Sequence, residues 1–335
     1  MLLFLFLFGL ALVAASPSED HPVKLQRGNC PMFWYSFKGR CYKYVATDMN
    51  WADAEIYCMS EGAHLVSIHS IDEQNFVTSL IKNFDHAEGN TWIGINDSYK
   101  EGTWMWSDGS AVKFTNWYPG TPDSGDTQNC AYTNISNGST KQWNDYPCSY
   151  SFPSVCAFNT ACPFFLHQLK QRDTTMLLFL FLFGLALGAV SSSDDRLVKL
   201  QRGNCPMFWY NFNGRCYKYV ATYMTWADAE LHCVSEGANL VSIHSSDEHY
   251  FFKSLIKNFD PSEGPTWLGL SDIHKEGSWM WSDGCAVKFV FWYSGQPDGA
   301  TGQNCVQTNV WGTEWNDNPC SLTSPFVCAS RITCS

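Results

Sequence analysis

The chain has 335 residues, of which 45% are hydrophobic and 16% charged, a composition typical of globular domains and a length that suits two of them. Its formal net charge is -11 and both halves are acidic, so no basic surface for nucleic-acid phosphates is expected. Fifteen cysteines without a Cys-x-x-Cys pair favour a disulfide framework in an oxidising compartment over a zinc site.

Residues 1–16 predict a signal peptide. Leu2–Phe8 contains only Leu and Phe, and small residues follow at Ala14, Ala15 and Ser16. The apolar stretch is too short for a stable membrane span. We therefore expect a secreted, extracellular protein.

The chain repeats itself, and the repeat includes the signal-like segment. Met1–Leu12 recurs unchanged as Met176–Leu187, and Val23–Tyr35 recurs as Val198–Tyr210. Domains duplicated within one working protein rarely carry a signal peptide with them. We therefore favour a chain that joins two complete precursors. The alternative is a true tandem protein whose internal apolar stretch is a linker, a second cleavage site or a membrane anchor.

The repeat divides the chain into two domains. Domain 1 is expected at residues 28–158 and domain 2 at residues 203–330. A junction at 159–175 and a second signal-like apolar segment at 176–192 separate them. On the joined-precursor hypothesis, Met176 is the second start.

The first half of each repeat predicts two helices. Met49–Glu61 is amphipathic and is followed by Gly62, a typical helix-ending residue. Ala63–His69 alternates like a strand. Ser70–Lys82 predicts a second helix that opens with a Ser-x-x-Glu capping box, and Ser245–Lys257 repeats it.

The second half of each repeat predicts short strands between long loops. Thr91–Ile95 and Thr266–Leu270 have the character of buried strands, and Val155–Phe158 and Val327–Ser330 that of closing strands. Gly, Asn, Asp and Pro crowd the loops between them. Two helices followed by short strands indicate an α+β domain.

Three motifs recur in both copies and together identify a family. They are the spacing of six cysteines, a Trp-rich strand (Trp92–Ile95, Trp267–Leu270) and a Trp-Asn-Asp sequence (Trp143–Asp145, Trp315–Asp317). This combination resembles the long-form C-type lectin domain, and especially the small soluble lectins of fish, including ladderlectin-like and galactose- or lactose-binding proteins. The resemblance implies two such domains, each with two helices, short antiparallel strands, long loops and three disulfides.

Six cysteines allow 15 pairings, and the sequence alone does not choose among them. The resemblance implies Cys30–Cys41, Cys58–Cys156, Cys130–Cys148, Cys205–Cys216, Cys233–Cys328 and Cys305–Cys320. Three cysteines remain: Cys162, Cys285 and Cys334. They are compatible with a disulfide-linked oligomer or with free thiols.

The resemblance also implies a calcium-dependent sugar site in domain 2. Gln296-Pro297-Asp298 matches the family's galactose-type tripeptide, with a cis bond before the proline. Five side chains would bind Ca²⁺: Gln296, Asp298, Gln303, Asn316 and Asp317. Because Gln303 stands where the family usually has Glu, we expect weak affinity, at or beyond the roughly 10⁻⁴–10⁻³ M range of extracellular calcium modules.

The partner implied for this site is a galactose-type glycan. Gln296, Asp298, Asn316 and Asp317 would exchange hydrogen bonds with its hydroxyls. Trp311, unique to domain 2, is a candidate for stacking on the sugar ring, and a core or surface Trp is the alternative.

Domain 1 departs further from the family pattern, because its tripeptide is Thr121-Pro122-Asp123. Its candidate ligands are Thr121, Asp123, Gln128, Asn144 and Asp145. Thr121 has a shorter reach than Gln and no amide NH₂, so we expect a weaker or inactive site. Asp126 could add a carboxylate.

Two further features concern modification and function class. Sequons predict glycans at Asn96, Asn134 and Asn137. The chain has no HExxH, GxSxG, P-loop or GxGxxG–helix motif, so we do not expect an enzyme. The expectation is a secreted lectin, acting for example on microbial glycans in innate immunity. The alternative is a protein of the same fold that binds no sugar, such as a type II antifreeze-like ice-binding protein.

Overall fold

The computed structural model describes residues 25–123, 127–137, 140–160, 199–300, 302–310 and 312–330, with only the backbone for 134–137 and 140. Several predictions lie outside the described residues: the signal peptide 1–16, most of the junction 159–175, the segment 176–192, Asp126, Trp311, Cys162, Cys334 and the side chains of Asn134 and Asn137. Within the described ranges, no helix is long and apolar enough to cross a membrane.

The two domains have the same order of elements. Domain 1 consists of β1 Tyr35–Phe37, β2 Arg40–Met49, α1 Trp51–Ser60, β3 His64–Leu65, α2 Ile71–Phe84, β4 Thr91–Asn96, β5 Met105–Trp106, β6 Cys130–Asn137, β7 Thr140–Tyr146 and β8 Phe152–Asn159. Domain 2 consists of β9 Tyr210–Phe212, β10 Arg215–Met224, α3 Trp226–Ser235, β11 Ala238–Leu240, α4 Ser246–Phe259, β12 Thr266–Ser271, β13 Met280–Trp281, β14 Cys305–Thr308, β15 Trp315–Asn318 and β16 Ser324–Ser330. The predicted α+β architecture is confirmed.

Local capping sets the helix boundaries. Asn50 accepts a hydrogen bond from the backbone N of Asp53 (2.9 Å), so α1 begins at Trp51 rather than at Met49. Ser70 caps α2 through the N–H of Glu73 (3.3 Å), as the capping-box pattern predicts. The Glu73 carboxylate, however, accepts from the N–H of His69 rather than from that of Ser70.

The predicted strand at Ala63–His69 is wrong in its extent. Only His64 and Leu65 pair with β8 as a strand. Gly94 of β4 lies against the Leu65 carbonyl, and its N–H donates to the Val66 carbonyl (2.9 Å). The segment is therefore buried under β4, so its apolar residues reflect burial rather than a longer ladder.

Each domain is built on one mixed sheet. In domain 1 the order is β1-β2-β8-β4-β6-β7, with β3 and β5 on β8 and β4 respectively, and domain 2 repeats this arrangement. The pairings are antiparallel except for β4 with β8, which meet in parallel at Trp92 and Ser154, and β12 with β16. The expectation of antiparallel strands therefore misses one parallel pair in each sheet.

The buried core fixes the strands that lead to the candidate site. In β4, Trp92 faces one hydrophobic cluster while Ile93 and Ile95 face the other, the alternation expected of a strand buried on both faces. Trp143 and Trp315 are fully buried in the cluster that also holds the second helix of their domain. The Asn-Asp pairs that follow these tryptophans are therefore held in place by a buried side chain on the residue before them.

Six disulfides join pairs of cysteines that both lie among the described residues, three in each domain. They join the same cysteines that the resemblance implies: Cys30–Cys41, Cys58–Cys156, Cys130–Cys148, Cys205–Cys216, Cys233–Cys328 and Cys305–Cys320. The bridge Cys58–Cys156 closes 98 residues of chain between α1 and β8, a loop length worth about 4.7 kcal/mol in the chain-entropy model. Cys285 is also disulfide-bonded, so it is not a free thiol.

Candidate calcium and carbohydrate site

The tripeptide loop of domain 2 is held beside β15 by backbone hydrogen bonds. The N–H of Trp315 donates to Phe291 O, and the N–H of Tyr293 donates to Trp315 O, both at 2.8 Å. The Gln296 N–H then donates to Tyr293 O (2.9 Å), which closes the turn. The Gln296–Pro297 bond is cis, as the resemblance implies. The loop thus places Gln296 and Asp298 near the start of β15.

Buried oxygens without hydrogen-bond donors face this loop from β15. Asn316 is 2% exposed and Asp317 is fully buried. The Asn316 amide nitrogen donates to Asp317 O (2.7 Å), which leaves its Oδ1 as an acceptor. Neither that Oδ1 nor either carboxylate oxygen of Asp317 has a hydrogen-bond partner among the described residues. Because a buried, unpaired carboxylate is costly, these three oxygens form a set of acceptors that would suit a cation.

The electrostatics of the site agree with this conclusion. Burial raises the pKa of Asp317, and the negative charges of Asp298 and Asp272 raise it further. The backbone N–H groups of Asp317 and Asp298 lie near the Asp317 carboxylate and lower its pKa, but they do not reach hydrogen-bond geometry with it. The Asp298 carboxylate therefore lies near enough to Asp317 for the two negative charges to repel. Calcium takes six to eight oxygen ligands in flexible geometry, and this all-oxygen set fits it better than it fits zinc.

The other predicted ligands, Gln296, Asp298 and Gln303, make hydrogen bonds within their own loop. Gln296 Oε1 accepts from the backbone N of Asp298 (3.1 Å), so this oxygen lies at the turn. Asp298 Oδ1 accepts from the N–H of Ala300 (3.0 Å). The backbone N–H of Gln303 donates to Ala300 O (3.0 Å), which turns the chain back towards β14.

Domain 1 brings together the corresponding residues. The N–H of Asp123 donates to Asp145 Oδ2 (3.2 Å), and the amide of Gln128 donates to Asp123 Oδ1 (2.8 Å). The Asn144 amide nitrogen donates to Asp145 O (2.9 Å). Asp145 Oδ1 is buried without a partner in the described part of the chain. The hydroxyl of Thr121 donates to Tyr118 O (2.9 Å), so it is turned onto the backbone.

Two stretches of the chain, residues 47–158 and 222–330, match the family model for the lectin C-type domain. The chain belongs to the C-type lectin domain family. Lectins of this family are carbohydrate-binding proteins without enzymatic activity, in agreement with the prediction that this chain is not an enzyme.

Relatives match one or both C-type lectin domains. The human (Homo sapiens) C-type mannose receptor 2 is 30% identical over 91% of this chain, which spans 19% of the receptor's length. The lactose-binding lectin l-2 of Anguilla japonica is 42% identical over 42% of this chain and 86% of its own length. The type-2 ice-structuring protein of Osmerus mordax is 40% identical over 38% of this chain and 73% of its own.

One further aspartate lies near each site and was not predicted from the sequence, Asp97 in domain 1 and Asp272 in domain 2. Burial raises the pKa of Asp97 to about 6, and the charges of Glu101 and Asp145 add to this increase. Asp97 Oδ2 accepts from the N–H of Gly102 (2.8 Å), while its buried Oδ1 has no partner among the described residues. In domain 2, Asp272 occupies the corresponding place and raises the pKa of Asp317.

A repeated pattern could have revealed this pair. Asp-x-x-x-Glu-Gly follows the Trp-rich strand in both C-type lectin domains, at 97–102 and at 272–277. In domain 2, Glu276 approaches the tripeptide loop, since a Cβ on Gly299 would lie 3.6 Å from Glu276 Oε1. These acids extend the negative charge around the candidate calcium ligands.

Of the three sequon asparagines, Asn96 is the one whose side chain lies among the described residues. Asn96 is 1% exposed at the end of β4, and its Oδ1 accepts from the N–H of Ser98 (3.3 Å). A glycan at Asn96 stays a prediction, and burial disfavours it. Tyr293, on the loop that leads to the tripeptide, is 37% exposed and supplies an aromatic ring that the sequence analysis did not consider.

Proposed function

We propose that domain 2 is a calcium-dependent lectin domain for galactose-type sugars. The single observation that supports this proposal is the fully buried Asp317, whose two carboxylate oxygens have no hydrogen-bond partner among the described residues. A calcium ion bound by Gln296, Asp298, Asn316 and Asp317 would neutralise that carboxylate.

The sugar would bind at the open side of the ion. When bound, calcium supplies positions for two neighbouring sugar hydroxyls. Asp298 is exposed and carries a carboxylate that accepts from a hydroxyl, while the Gln296 amide both donates and accepts. The lactose-binding lectin of Anguilla japonica, at 42% identity, supports a galactose-type ligand.

Domain 1 is proposed as the weaker site. Its Thr121 hydroxyl is already bonded to backbone oxygens, and its Gln128 amide occupies one oxygen of Asp123. For Thr121 and Asp123 to bind an ion with these oxygens, the hydroxyl and amide hydrogen bonds must first break. Fewer open oxygens mean a smaller gain from calcium.

The repeat provides a matched pair of variants to test this assignment. Asp317→Asn in the full chain should lower calcium affinity at least about tenfold and abolish calcium-dependent retention on galactose-agarose, because it removes one of two ligand carboxylates. Asp145→Asn makes the same change in domain 1 and should leave retention largely intact. Retention of the unmodified chain should be lost in EDTA.

Folding of the variants is checked without calcium. Removing the unpaired charge of Asp317 relieves repulsion from Asp298, so Asp317→Asn should melt at the same temperature as the unmodified chain, or higher, in EDTA. Equal retention of both variants and of the unmodified chain, with or without calcium, would contradict the proposal.

We also propose that the protein is secreted and acts on glycans outside the cell, including those of microbes. The signal-like residues 1–16 and the disulfides of both domains support this localisation. Expression of the full chain in cultured cells should place it in the medium, with a new N-terminus near residue 16.

Ice binding is the second candidate function. It is supported by the 40% identity between one domain and the ice-structuring protein of Osmerus mordax. Thermal hysteresis that survives saturating galactose would favour this alternative. Sugar retention without thermal hysteresis would exclude it.

A further inference from the structure

The two domains contact each other through a surface that repeats across an approximate twofold axis. Lys100 Nζ of domain 1 lies 2.5 Å from Asp228 Oδ1 of domain 2. Lys275 Nζ of domain 2 lies 2.6 Å from Asp53 Oδ1 of domain 1. Lys100 corresponds to Lys275 in the internal repeat, and Asp53 corresponds to Asp228. The same ion pair therefore forms twice, once in each direction.

Aromatic rings form the centre of this contact. Tyr99 stacks on Trp226 with ring centroids 4.4 Å apart, and His274, the counterpart of Tyr99, lies 4.8 Å from Trp51, the counterpart of Trp226. Tyr99 and His274 also meet each other, edge to face, at 5.2 Å. Because these two residues are equivalent in the repeat, the approximate axis passes between them.

Polar contacts outside the aromatic centre follow the same symmetry. His64 Nε2 lies 2.7 Å from Gly284 O, and Asn239 Nδ2, in the corresponding position, donates to Gly109 O (3.2 Å). A Cβ on Gly284 would lie 2.8 Å from His64 Nε2, so a larger residue there would push the domains apart. Both glycines therefore permit the close approach.

We propose that this surface is a dimerisation surface for these C-type lectin domains and that its partner is a second domain of the same kind, covalently joined or not. We call it the pairing surface and define it in domain 1 by Trp51, Asp53, His64, Tyr99, Lys100 and Gly109, with their counterparts in domain 2. Each domain carries both members of the ion pair and both members of the aromatic pair. Such a surface is self-complementary, which is the property of an isologous interface.

The residues of the pairing surface do not include the proposed calcium ligands, although Lys275 is next in sequence to Glu276, which approaches the tripeptide loop. The inference therefore stands whether or not the domains bind sugar. If the chain is made as two separate products, they should still associate through this surface.

Cleavage of the full chain tests the proposal directly. A protease site is inserted between residues 160 and 199, in a background where Cys162, Cys285 and Cys334 are replaced by Ser so that these cysteines cannot link the halves. Serine is already present at position 110, the counterpart of Cys285. After cleavage, size-exclusion chromatography with light scattering and native mass spectrometry should show one species that contains both halves at micromolar concentration.

Charge exchange shows whether the halves pair as described. Lys100→Glu alone and Asp228→Lys alone should each weaken association of the cut halves about tenfold, because each places like charges together. The double variant should restore the affinity to within about threefold of the starting chain. If the double variant instead loses the sum of the two single-variant losses in affinity, the proposal is overturned.

A variant of the aromatic centre supplies an independent measurement. Tyr99→Ala should weaken association about 30-fold, the loss expected for an interface hot spot. Tyr150→Ala removes an exposed tyrosine of the same domain outside the pairing surface and should have no effect. The proposal is overturned if the two halves of the unmodified sequence are separate at tens of micromolar. Retention on galactose-agarose is measured in parallel and reports on the sugar site independently.

Discussion

Residue 303 determines how many carboxylates surround the candidate ion in domain 2. Among the predicted ligands only Asp298 and Asp317 are acidic, and Gln303 stands where the family usually has Glu. Gln303→Glu should tighten calcium binding of the full chain about tenfold or more, because affinity in oxygen sites rises with ligand charge. Isothermal titration calorimetry measures the change. Unaltered affinity would indicate that residue 303 does not contact the ion.

The same substitution in domain 1 is a useful comparison. The amide of Gln128 donates to Asp123 Oδ1 (2.8 Å), so Gln128→Glu replaces an attractive contact by repulsion between carboxylates. Domain 1 should then lose stability in EDTA and regain it with calcium. A melt recorded in both conditions distinguishes this behaviour from a purely structural role.

His64, a domain 1 residue whose imidazole also contacts Gly284 O of domain 2, predicts a pH dependence of stability. Burial lowers the pKa of His64, but the charge and hydrogen bond of Glu55, with the charge of Asp108, outweigh it and raise the pKa to about 9. A pKa raised on folding stabilises the protein below the unfolded value of about 6.5, and this contribution is lost as pH rises through about 9. We expect a loss of about 2–3 kcal/mol between pH 6.5 and 9.

Asn239, the counterpart of His64 in domain 2, supplies the control substitution. His64→Asn should remove most of the decrease, because Asn does not titrate, while it keeps a side-chain amide at the position that donates to the other domain. Calorimetric melts at pH 6.5, 7.5 and 9 measure the difference. The prediction is wrong if both proteins lose the same stability over this range.

At the level of secondary structure, a buried arginine joins the elements of domain 2. Arg215 on β10 donates to Ser242 O (2.7 Å) and to Glu248 Oε1 on α4 (3.0 Å), and also to Asp283 Oδ2 after β13 (3.2 Å). Arg215→Leu should destabilise domain 2 by about 3–5 kcal/mol, since it leaves two buried carboxylates unpaired. Lys38→Ala, which removes an exposed ion pair with Asp72, should cost less than about 1 kcal/mol. Denaturant titration of both variants checks the contrast.

Prediction from sequence succeeded where the signal is local. The capping residue Ser70 and the Trp-rich strand at Thr91–Ile95 act within a few residues, and the structure has both features nearly where the sequence places them. The Ala63–His69 strand failed because its burial under β4 depends on residues 30 positions away. Convergence of Asp298 with Asp317 was accessible only through the family resemblance.

Two parts of the molecule could not be predicted from local patterns. The acids at 97 and 272 gain their importance from burial and from neighbouring carboxylates, neither of which a spacing pattern measures. The pairing surface depends on how two folded domains meet. Its residues, such as Tyr99 and Lys100, are ordinary surface types in the sequence.

At the level of the whole molecule, calcium and protons should compete for the same buried carboxylates. Burial raises the pKa of Asp317 and of Asp145, and raises that of Asp97 to about 6. A carboxyl whose pKa is raised on folding destabilises the calcium-free protein as pH rises above about 4, with the full cost reached above the folded pKa. Calcium removes this cost by pairing with the ionised groups. Its stabilising effect should therefore be greatest above pH 6.

The difference in melting temperature between calcium and EDTA isolates this effect. For a dissociation constant of about 10⁻³ M, 10 mM calcium should stabilise a domain by about 1.4 kcal/mol, or about 3–6 °C, at pH 7.5. At pH 5 the difference should be smaller, because the raised pKa values of the ligands Asp317 and Asp145 let protons compete with calcium at a higher pH than at ordinary aspartates. The titration of His64 shifts the melting temperatures in calcium and in EDTA equally at a given pH, so it cancels in their difference. The double variant Asp145→Asn, Asp317→Asn should abolish the difference in melting temperature at both pH values. A calcium effect that grows on acidification would mean that the ion binds elsewhere.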